Sequence, residues 1–341
     1  MPANELENLM TEIVVIGGGP AGLSAALVFA RRGLDTTVIE KRSFPVIKAC
    51  GEGLMPGGVD SLKRLVPQEL IDKIEYHQFA GIRYVAPNGE CASGYFGKGD
   101  GWGIERSELS KLLSQAVEQE PGSNILENTV ATVEGSAEQP IVHFNSQTLR
   151  PKLLIAADGL HSPIRRWAEL NGPPSKLKRW GLRQHYQITP WTNLVEVHWS
   201  KDMEAYVTPV SPNTVGIAVL SHRELISSWQ KPISLKETLH VFSNLGPKLL
   251  SSEAKDQLIG IGPLHQTVKR TGTGKVVLVG DAAGYLDAIT GEGVSNAMEQ
   301  ALLIDRILKK QKEKPSIDEL VFNYANHCLL YTSPSPRDRS L

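Results

Sequence analysis

The chain of 341 residues carries 36 lysines and arginines against 37 aspartates and glutamates, a formal net charge of −1. This balance, with no Lys/Arg block in the body of the chain, argues against a nucleic-acid surface and for a small-molecule partner. The length exceeds the roughly 250–300 residues at which single cores split, so two closely packed domains are expected.

Cys50, Cys91 and Cys328 show no CxxC spacing and no His cluster. That pattern argues against a disulfide framework, a zinc site or a dithiol centre, and fits a reducing cytoplasm. The opening MPANELENLMTE is acidic and lacks an apolar stretch, so neither a secretory signal nor a transit peptide is expected. Residues 13–30 are strongly apolar, but Gly17-Gly-Gly-Pro20 interrupts them and no transmembrane span is expected.

A βαβ unit comes first. Ile13 to Ile16 reads as a buried strand, Gly17 to Gly22 as a turn, Leu23 to Arg32 as a helix capped by Gly33, and Thr37 to Ile39 as the next strand. In the turn GGGPAG, Gly17 permits the tight bend and Gly19 removes a Cβ so that backbone can approach a pyrophosphate. Gly22 lets the helix pack on the strand, with Pro20 and Ala21 between. The helix N-terminus offers free N–H groups and partial positive charge to phosphates. Glu40, followed by Lys41, ends the second strand where an acid accepts from adenosine ribose hydroxyls. An acid there disfavours a 2′-phosphate.

Beyond residue 40 the chain leaves the parallel pattern through KACGEGLMPGG, a helix from Pro56 to Val66, and short strands near Ile82 to Ala86. Ser107 is a plausible N-cap for a helix over Glu108 to Glu118, and Arg106 stands just before it. A guanidinium there can clamp a phosphate or stand as a surface arginine. Leu153 to Ala157 is another buried strand, ending on Asp158-Gly159. Asp158 is either an ordinary turn former or a ligand-facing residue at a strand end.

From Gly181 to Leu220 the period changes to two, through LVEVHW, EAYVTPV and TVGIAVL, which reads as an antiparallel meander. Its substrate-facing candidates are Tyr206 and His185 first, then Tyr186, His198 and Trp199. At most one of the last two can face a pocket directly. Helical stretches are expected between Ser221 and Leu258. KVVLVGDAAG then brings a second strand-Gly-Asp turn, Gly280-Asp281, roughly 260 residues after the first. Nicotinamide sites normally close within one doubly wound domain, so a return from the far end of the chain points to the longer cofactor FAD. Gly291 to Val294 opens a last helix running to about Lys312. Gly293, Val294 and Ser295 at its start are candidates to stabilise the negative charge of a reduced flavin near N1 and O2.

The three turns in order, GGGPAG, ADG and GDAAG followed by TGEGV, resemble the FAD-dependent superfamily of class A flavoprotein monooxygenases and geranylgeranyl reductases. The resemblance extends to about residue 325. It implies an α/β fold: a Rossmann-type FAD-binding domain, with a doubly wound parallel sheet, carrying an inserted antiparallel-sheet substrate domain. The expected division is 1–75, 101–180 and 260–327 for FAD, with 76–100 and 181–259 for the substrate. It also implies ADP contacts at Gly17, Gly19, Gly22 and Glu40, pyrophosphate contact at Arg106, support from Asp158, and ribitol binding by Asp281.

KACGEGLMP looks like the Lys-x-Cys-Gly segment of the reductases, which would bring Cys50 near the flavin; a buried inert thiol is the other account. AYVTPV departs from their Tyr-x-Trp-x-Phe-Pro strand at Thr208 and Val210. The first functional expectation is therefore an NAD(P)H-dependent monooxygenase acting on a small hydrophobic or aromatic substrate through a C4a-hydroperoxyflavin. The alternatives are prenyl C=C reduction and a non-enzymatic prenyl-protein carrier. NADH or NADPH would be the transient reductant. CLLYTSPSPRD, from Cys328, resembles one frame of a sequencing-library adapter, so residues 328–341 are expected to be a non-native tail.

Overall fold

The computed structural model describes residues 12–174, 178–222, 235–242, 244–249, 252–288, 291–311 and 316–332. The acidic opening segment, Thr290, much of the helical stretch expected over 221–258, the KKQKEK end and residues 333–341 lie wholly or partly outside the described residues.

Strands Ile13–Ile16, Leu153–Ala156 and Val276–Leu278 are uninterrupted runs of apolar residues, every one buried. Strands that are apolar on both faces suit the middle of a parallel sheet covered on each side. They lie in a six-stranded sheet ordered Gly272–Thr273, Val276–Leu278, Leu153–Ala156, Ile13–Ile16, Thr36–Ile39, Ser123–Leu126. All its pairings are parallel except that of Gly272–Thr273.

Alternation divides the strands between two cores. Ile13, Val15, Leu153, Ile155 and Val277 pack beneath helices Pro20–Ala30, Arg106–Glu118 and Gly293–Lys310. Val14, Ile16, Leu154, Ala156 and Leu278 face Val142, Phe144 and Leu149 of a three-stranded meander, Thr132–Ser136, Gln139–Phe144 and Gln147–Leu149. Each fully buried Leu, Ile or Val side chain contributes about 1.5–3 kcal/mol of transfer free energy, so this alternation is the main determinant of the sheet's register.

The dinucleotide helix starts with Pro20 in its first turn, where a missing N–H costs nothing, and is buried along nearly its whole length. The chain turns away just beyond it, where Gly33 takes φ +73°.

The second sheet holds Glu253–Ala254, Arg179–Gln187, Thr214–His222, Met203–Ser211, Leu194–Trp199, Gly81–Val85 and Cys91–Tyr95 in that order, with Ile259–Ile261 also paired to Arg179–Gln187. It is antiparallel as expected except at one join, where Leu194–Trp199 pairs parallel with Gly81–Val85. Gly81–Val85 and Cys91–Tyr95 reach this sheet from the earlier segment, while His77–Phe79 pairs with Gly101–Gly103 in a separate small sheet.

Two local expectations are corrected. Ser107 is not the N-cap: the helix begins at Arg106, its cap residue Glu105 makes no side-chain cap bond, and Glu52 accepts the Arg106 N–H from outside at 2.8 Å. The helix after Gly291 is not the last, since Ile317–Thr332 follows and buries Leu320, Tyr324 and Cys328 in the larger core. Among the described residues no helix is long and apolar enough to cross a membrane.

Candidate functional site

The glycine turn forms for steric reasons. Gly17 takes φ +110°, and a Cβ there would stand 2.2 Å from the Ala157 carbonyl oxygen. A Cβ at Gly22 would stand 1.9 Å from the Gly17 oxygen, so this residue sets the contact between helix and turn and does not line the cavity. Gly19 is different, since the nearest atom to a Cβ there is Arg106 Nη2 at 3.7 Å. The late turn meets the first one directly: Gly280 takes φ +60°, and a Cβ on it would lie 2.7 Å from the Ala21 Cβ.

One cavity of about 940 Å³ joins these turns to the second sheet. Gly17, Gly19, Pro20, Ala21, Glu40 and Lys41 line it, together with Arg106, Asp158, Gly280 and Asp281. Gly293, Val294, Cys50 and Tyr206 line it as well, so the expected cofactor residues other than Gly22 and Ser295, and two of the substrate candidates, converge there. Thr129, Val130 and Ala131 also line it beside Glu40; no motif in the sequence marks them.

The exceptions besides Gly22 are corrections. His185 is on the same face of its strand as Arg183 but does not line the cavity, with Nε2 2.6 Å from Glu52 Oε2 and Nδ1 2.8 Å from Asp256 Oδ2. Burial opposes its charge, but the Asp256 and Glu52 hydrogen bonds overcome this and push its pKa up to about 9. Ser295 does not line the cavity either. Its Oγ packs toward the helix Pro56–Leu65, where a Cβ on Gly58 would meet it at 2.2 Å. Of the other aromatic and His candidates, His198 bonds the buried Glu196 at 3.1 Å, Trp199 is exposed, and Tyr186 is buried in a separate apolar cluster.

The polar residues of the cavity test whether FAD fits. Arg106 is 5% exposed and its Nη1 is buried with no hydrogen-bond partner. A buried unpaired guanidinium nitrogen beside an open glycine backbone and a helix N-terminus suits a pyrophosphate. Glu40 accepts the Gly18 N–H at 2.6 Å through Oε2 and the Arg42 N–H at 3.0 Å through Oε1. It therefore orders the turn, and each oxygen keeps a lone pair for a ribose hydroxyl.

Asp158 both bonds the turn that follows it and lines the cavity. Its Oδ2 accepts the Ile164 N–H at 3.1 Å, while its buried Oδ1 has no partner, and burial raises its pKa. Asp281 Oδ2 takes Lys48 Nζ at 2.7 Å, leaving Oδ1 as an acceptor for a ribitol hydroxyl. The eighteen-residue helix Gly293–Lys310 has no side-chain cap, and its first two residues line the cavity. Its opening amides are ready-made donors for an anionic ring edge.

Several positioning residues were not legible as such. Gln300 Oε1 accepts the Gly280 N–H at 2.6 Å. Arg165 stitches the two later turns together, with Nη2 donating to the Leu160 carbonyl at 2.8 Å and Nη1 to that of Ala282 at 3.1 Å. Glu52, at φ +61°, bonds both the Arg106 N–H and His185. Its only sequence signal is its place in the run KACGEG.

Register decides which sheet residues face the cavity. Arg183, Ala218, Tyr206, Val197 and Tyr84 form one cross-strand row, and all five line the wall. Burial and the neighbouring Glu204 carboxylate push the Tyr206 phenol far above its usual range, so it acts as a neutral phenol; its hydroxyl donates to Glu204 at 3.0 Å. Thr208 explains the departure from the aromatic pattern. Its hydroxyl donates to the Gly51 carbonyl at 2.8 Å, tying the Cys50 loop to the sheet where a larger side chain would have to displace it. Burial raises the Cys50 thiol, opposed in part by the Arg106 charge, so Cys50 stays protonated at neutral pH.

A parallel sheet bearing a glycine turn, a returning Gly-Asp turn and an unpaired buried arginine define an FAD-dependent oxidoreductase. The chain belongs to the FAD binding domain family, whose sequence profile matches residues 10–330. It is 27% identical over 320 residues to digeranylgeranylglycerophospholipid reductase 1 of Methanothermobacter thermautotrophicus, covering 87% of this chain and 76% of that one. It is 25% identical over 319 residues to the menaquinone reductase of Mycobacterium tuberculosis, with the same two coverages, 87% and 76%.

Among solved structures, PqsL, a probable FAD-dependent monooxygenase from Pseudomonas aeruginosa, superposes with a TM-score of 0.80 at 17% identity, over 94% of this chain and 92% of that one. The flavin-dependent halogenase CmlS superposes with a TM-score of 0.82 at 20% identity, over 94% and 62% of the respective chains. These likenesses establish the shared fold.

Proposed function

We propose that the chain reduces carbon–carbon double bonds in the prenyl chain of an apolar substrate, with NADH or NADPH renewing the reduced cofactor. The observation that carries this reading is the wall opposite the cofactor turns. Ile82, Val195, Val197, Ala218, Leu220 and Ile261 line the same cavity as Cys50 and Asp281. A wall of this kind orients a chain by shape and water exclusion, as an isolated double bond requires. The named relatives that act on a digeranylgeranyl lipid and on menaquinone support the same substrate class.

In this reading Gly17, Gly19 and the free first-turn amide of Ala21 receive the pyrophosphate with Arg106. Glu40 and Lys41 flank the adenosine, Asp281 takes the ribitol, and Gly293 and Val294 point amides at the ring's anionic edge. Bound FAD supplies the hydride chemistry. The chain's own part is to position the substrate, exclude water and supply protons. The Cys50 thiol and the Tyr285 phenol, whose pKa burial also raises, both line the cavity and hold a proton at Sγ and Oη.

Thr208 and Val210, standing where the reductases carry aromatic residues, favour a second reading, transfer of oxygen to the substrate. Turnover of geranylgeraniol by the reduced holoenzyme under strict anaerobiosis separates the two. Loss of double bonds without oxygen is the expected result, and oxygen consumed in step with a hydroxylated product would overturn it.

A further inference from the structure

Arg183 is the only charged residue that the second sheet contributes to the cavity lining among the described residues. It is 2% exposed and lies beside Ala218 and Tyr206 in the cross-strand row facing the cavity. Its Nη1 donates to Asp256 Oδ2, the same oxygen that takes the His185 Nδ1–H at 2.8 Å. The other edge is unpaired: Nε is buried with no hydrogen-bond partner, the nearest carboxylate oxygen, Glu52 Oε1, being 4.0 Å away, and Nη2 makes no hydrogen bond among the described residues. An unsatisfied buried donor costs about 1–3 kcal/mol, and more when charged. An apolar wall retains such a group at that cost where a ligand supplies the acceptor.

The charge around it is already matched. Asp256 and Glu52 carry two negative charges, while Arg183 and a protonated His185 carry two positive ones. A further anion would leave the buried cluster net negative, whereas a neutral oxygen would complete the hydrogen bonds without disturbing it.

We propose that the Nε and Nη2 edge of Arg183 is the polar anchor of the substrate cavity, holding a neutral carbonyl or hydroxyl oxygen carried by the prenyl substrate. The site therefore selects neutral oxygenated prenyl compounds over their phosphates and over bare hydrocarbons. This rests on the prenyl-substrate reading above.

The test is binding to the FAD-loaded protein, followed by perturbation of flavin absorbance, with three probes of equal chain length: geranylgeraniol, geranylgeranyl monophosphate and the oxygen-free hydrocarbon. The wild type should bind the alcohol at least tenfold more tightly than either of the others. Arg183→Met should remove the preference over the hydrocarbon, while Arg183→Lys, which keeps a donor, should retain part of it; FAD affinity should not change in either. A wild type that binds the phosphate best, or binds all three equally, overturns the inference even if Arg183→Met cannot be folded. An unchanged preference in a folded Arg183→Met also overturns it. A wild type that binds none of the three overturns the prenyl reading itself.

Discussion

Glu52 Oε2 lies 2.6 Å from His185 Nε2, joining the loop after Cys50 to the second sheet in a contact with almost no exposure on either side. His185 has a folded pKa of about 9 against an unfolded 6.5, so the stability it contributes is fully present below pH 6.5 and is lost as pH rises through 9. The size is on the order of 3 kcal/mol. Asp256, held near 2 against an ordinary 3.8 by the same contact, reports the same energy from the other end, so the two are not added. Urea unfolding between pH 7 and 10 should show a falling limb in the wild type. A His185→Asn protein should be less stable at neutral pH and lack that limb; an unchanged limb would show that another group sets it.

Acid stability depends on a different cluster. Glu196 is 2% exposed and burial raises its pKa, but hydrogen bonds from His198 and Trp191 and the charge of Lys248 bring it down to about 2. Its folded value is depressed, so its contribution is complete above about pH 4.5 and is lost as pH falls toward 2. Glu196→Gln should flatten the melting temperature between pH 5 and 3, while leaving the alkaline limb of His185 in place.

Gly19 and Gly22 should fail differently. In Gly22→Ala the new methyl meets the Gly17 carbonyl oxygen at 1.9 Å, so the apoprotein itself should melt earlier, by an amount on the scale of overpacking, about 1–3 kcal/mol. In Gly19→Ala the methyl has room in the protein, 3.7 Å from Arg106 Nη2, but occupies the approach to the phosphates. That variant should keep its apo melting temperature and lose FAD affinity. Equal loss of apo stability in both would contradict the assignment.

Arg106→Met removes a buried guanidinium whose Nη1 has no protein partner. FAD affinity, followed by flavin fluorescence, should fall about 10- to 100-fold, the range of a charged hydrogen bond. The apoprotein should be no less stable, because the lost group was uncompensated. A stability loss with unchanged FAD affinity would make Arg106 structural.

Legibility followed the range of the forces involved. The turn at Gly17 to Gly22, the strand before Asp158 and the Gly280-Asp281 turn rest on steric rules acting within a few residues, and each is found where the residue pattern puts it. His185 was expected over the substrate, and it does share the face of its strand with the cavity-lining Arg183. Glu52, 133 positions earlier in the chain, claims it first. Lys48 and Gln300 could not be assigned for the same reason, since each is defined by a partner from a distant segment, Asp281 and Gly280 respectively.

The sequence by itself determined the cofactor class and the order of the turns that bind it, because glycine sterics, strand hydrophobicity and helix N-termini are local properties. Only the tertiary structure decided which polar side chains are spoken for and which remain free. Arg183, Arg106 and His185 are all buried basic side chains, yet His185 is bonded at both ring nitrogens while Arg106 Nη1 and Arg183 Nε have no partner. That difference depends on the register of eight strands and the approach of loops far apart in the chain. Hydrogen bonding is directional at the scale of tenths of an ångström, which no residue pattern encodes.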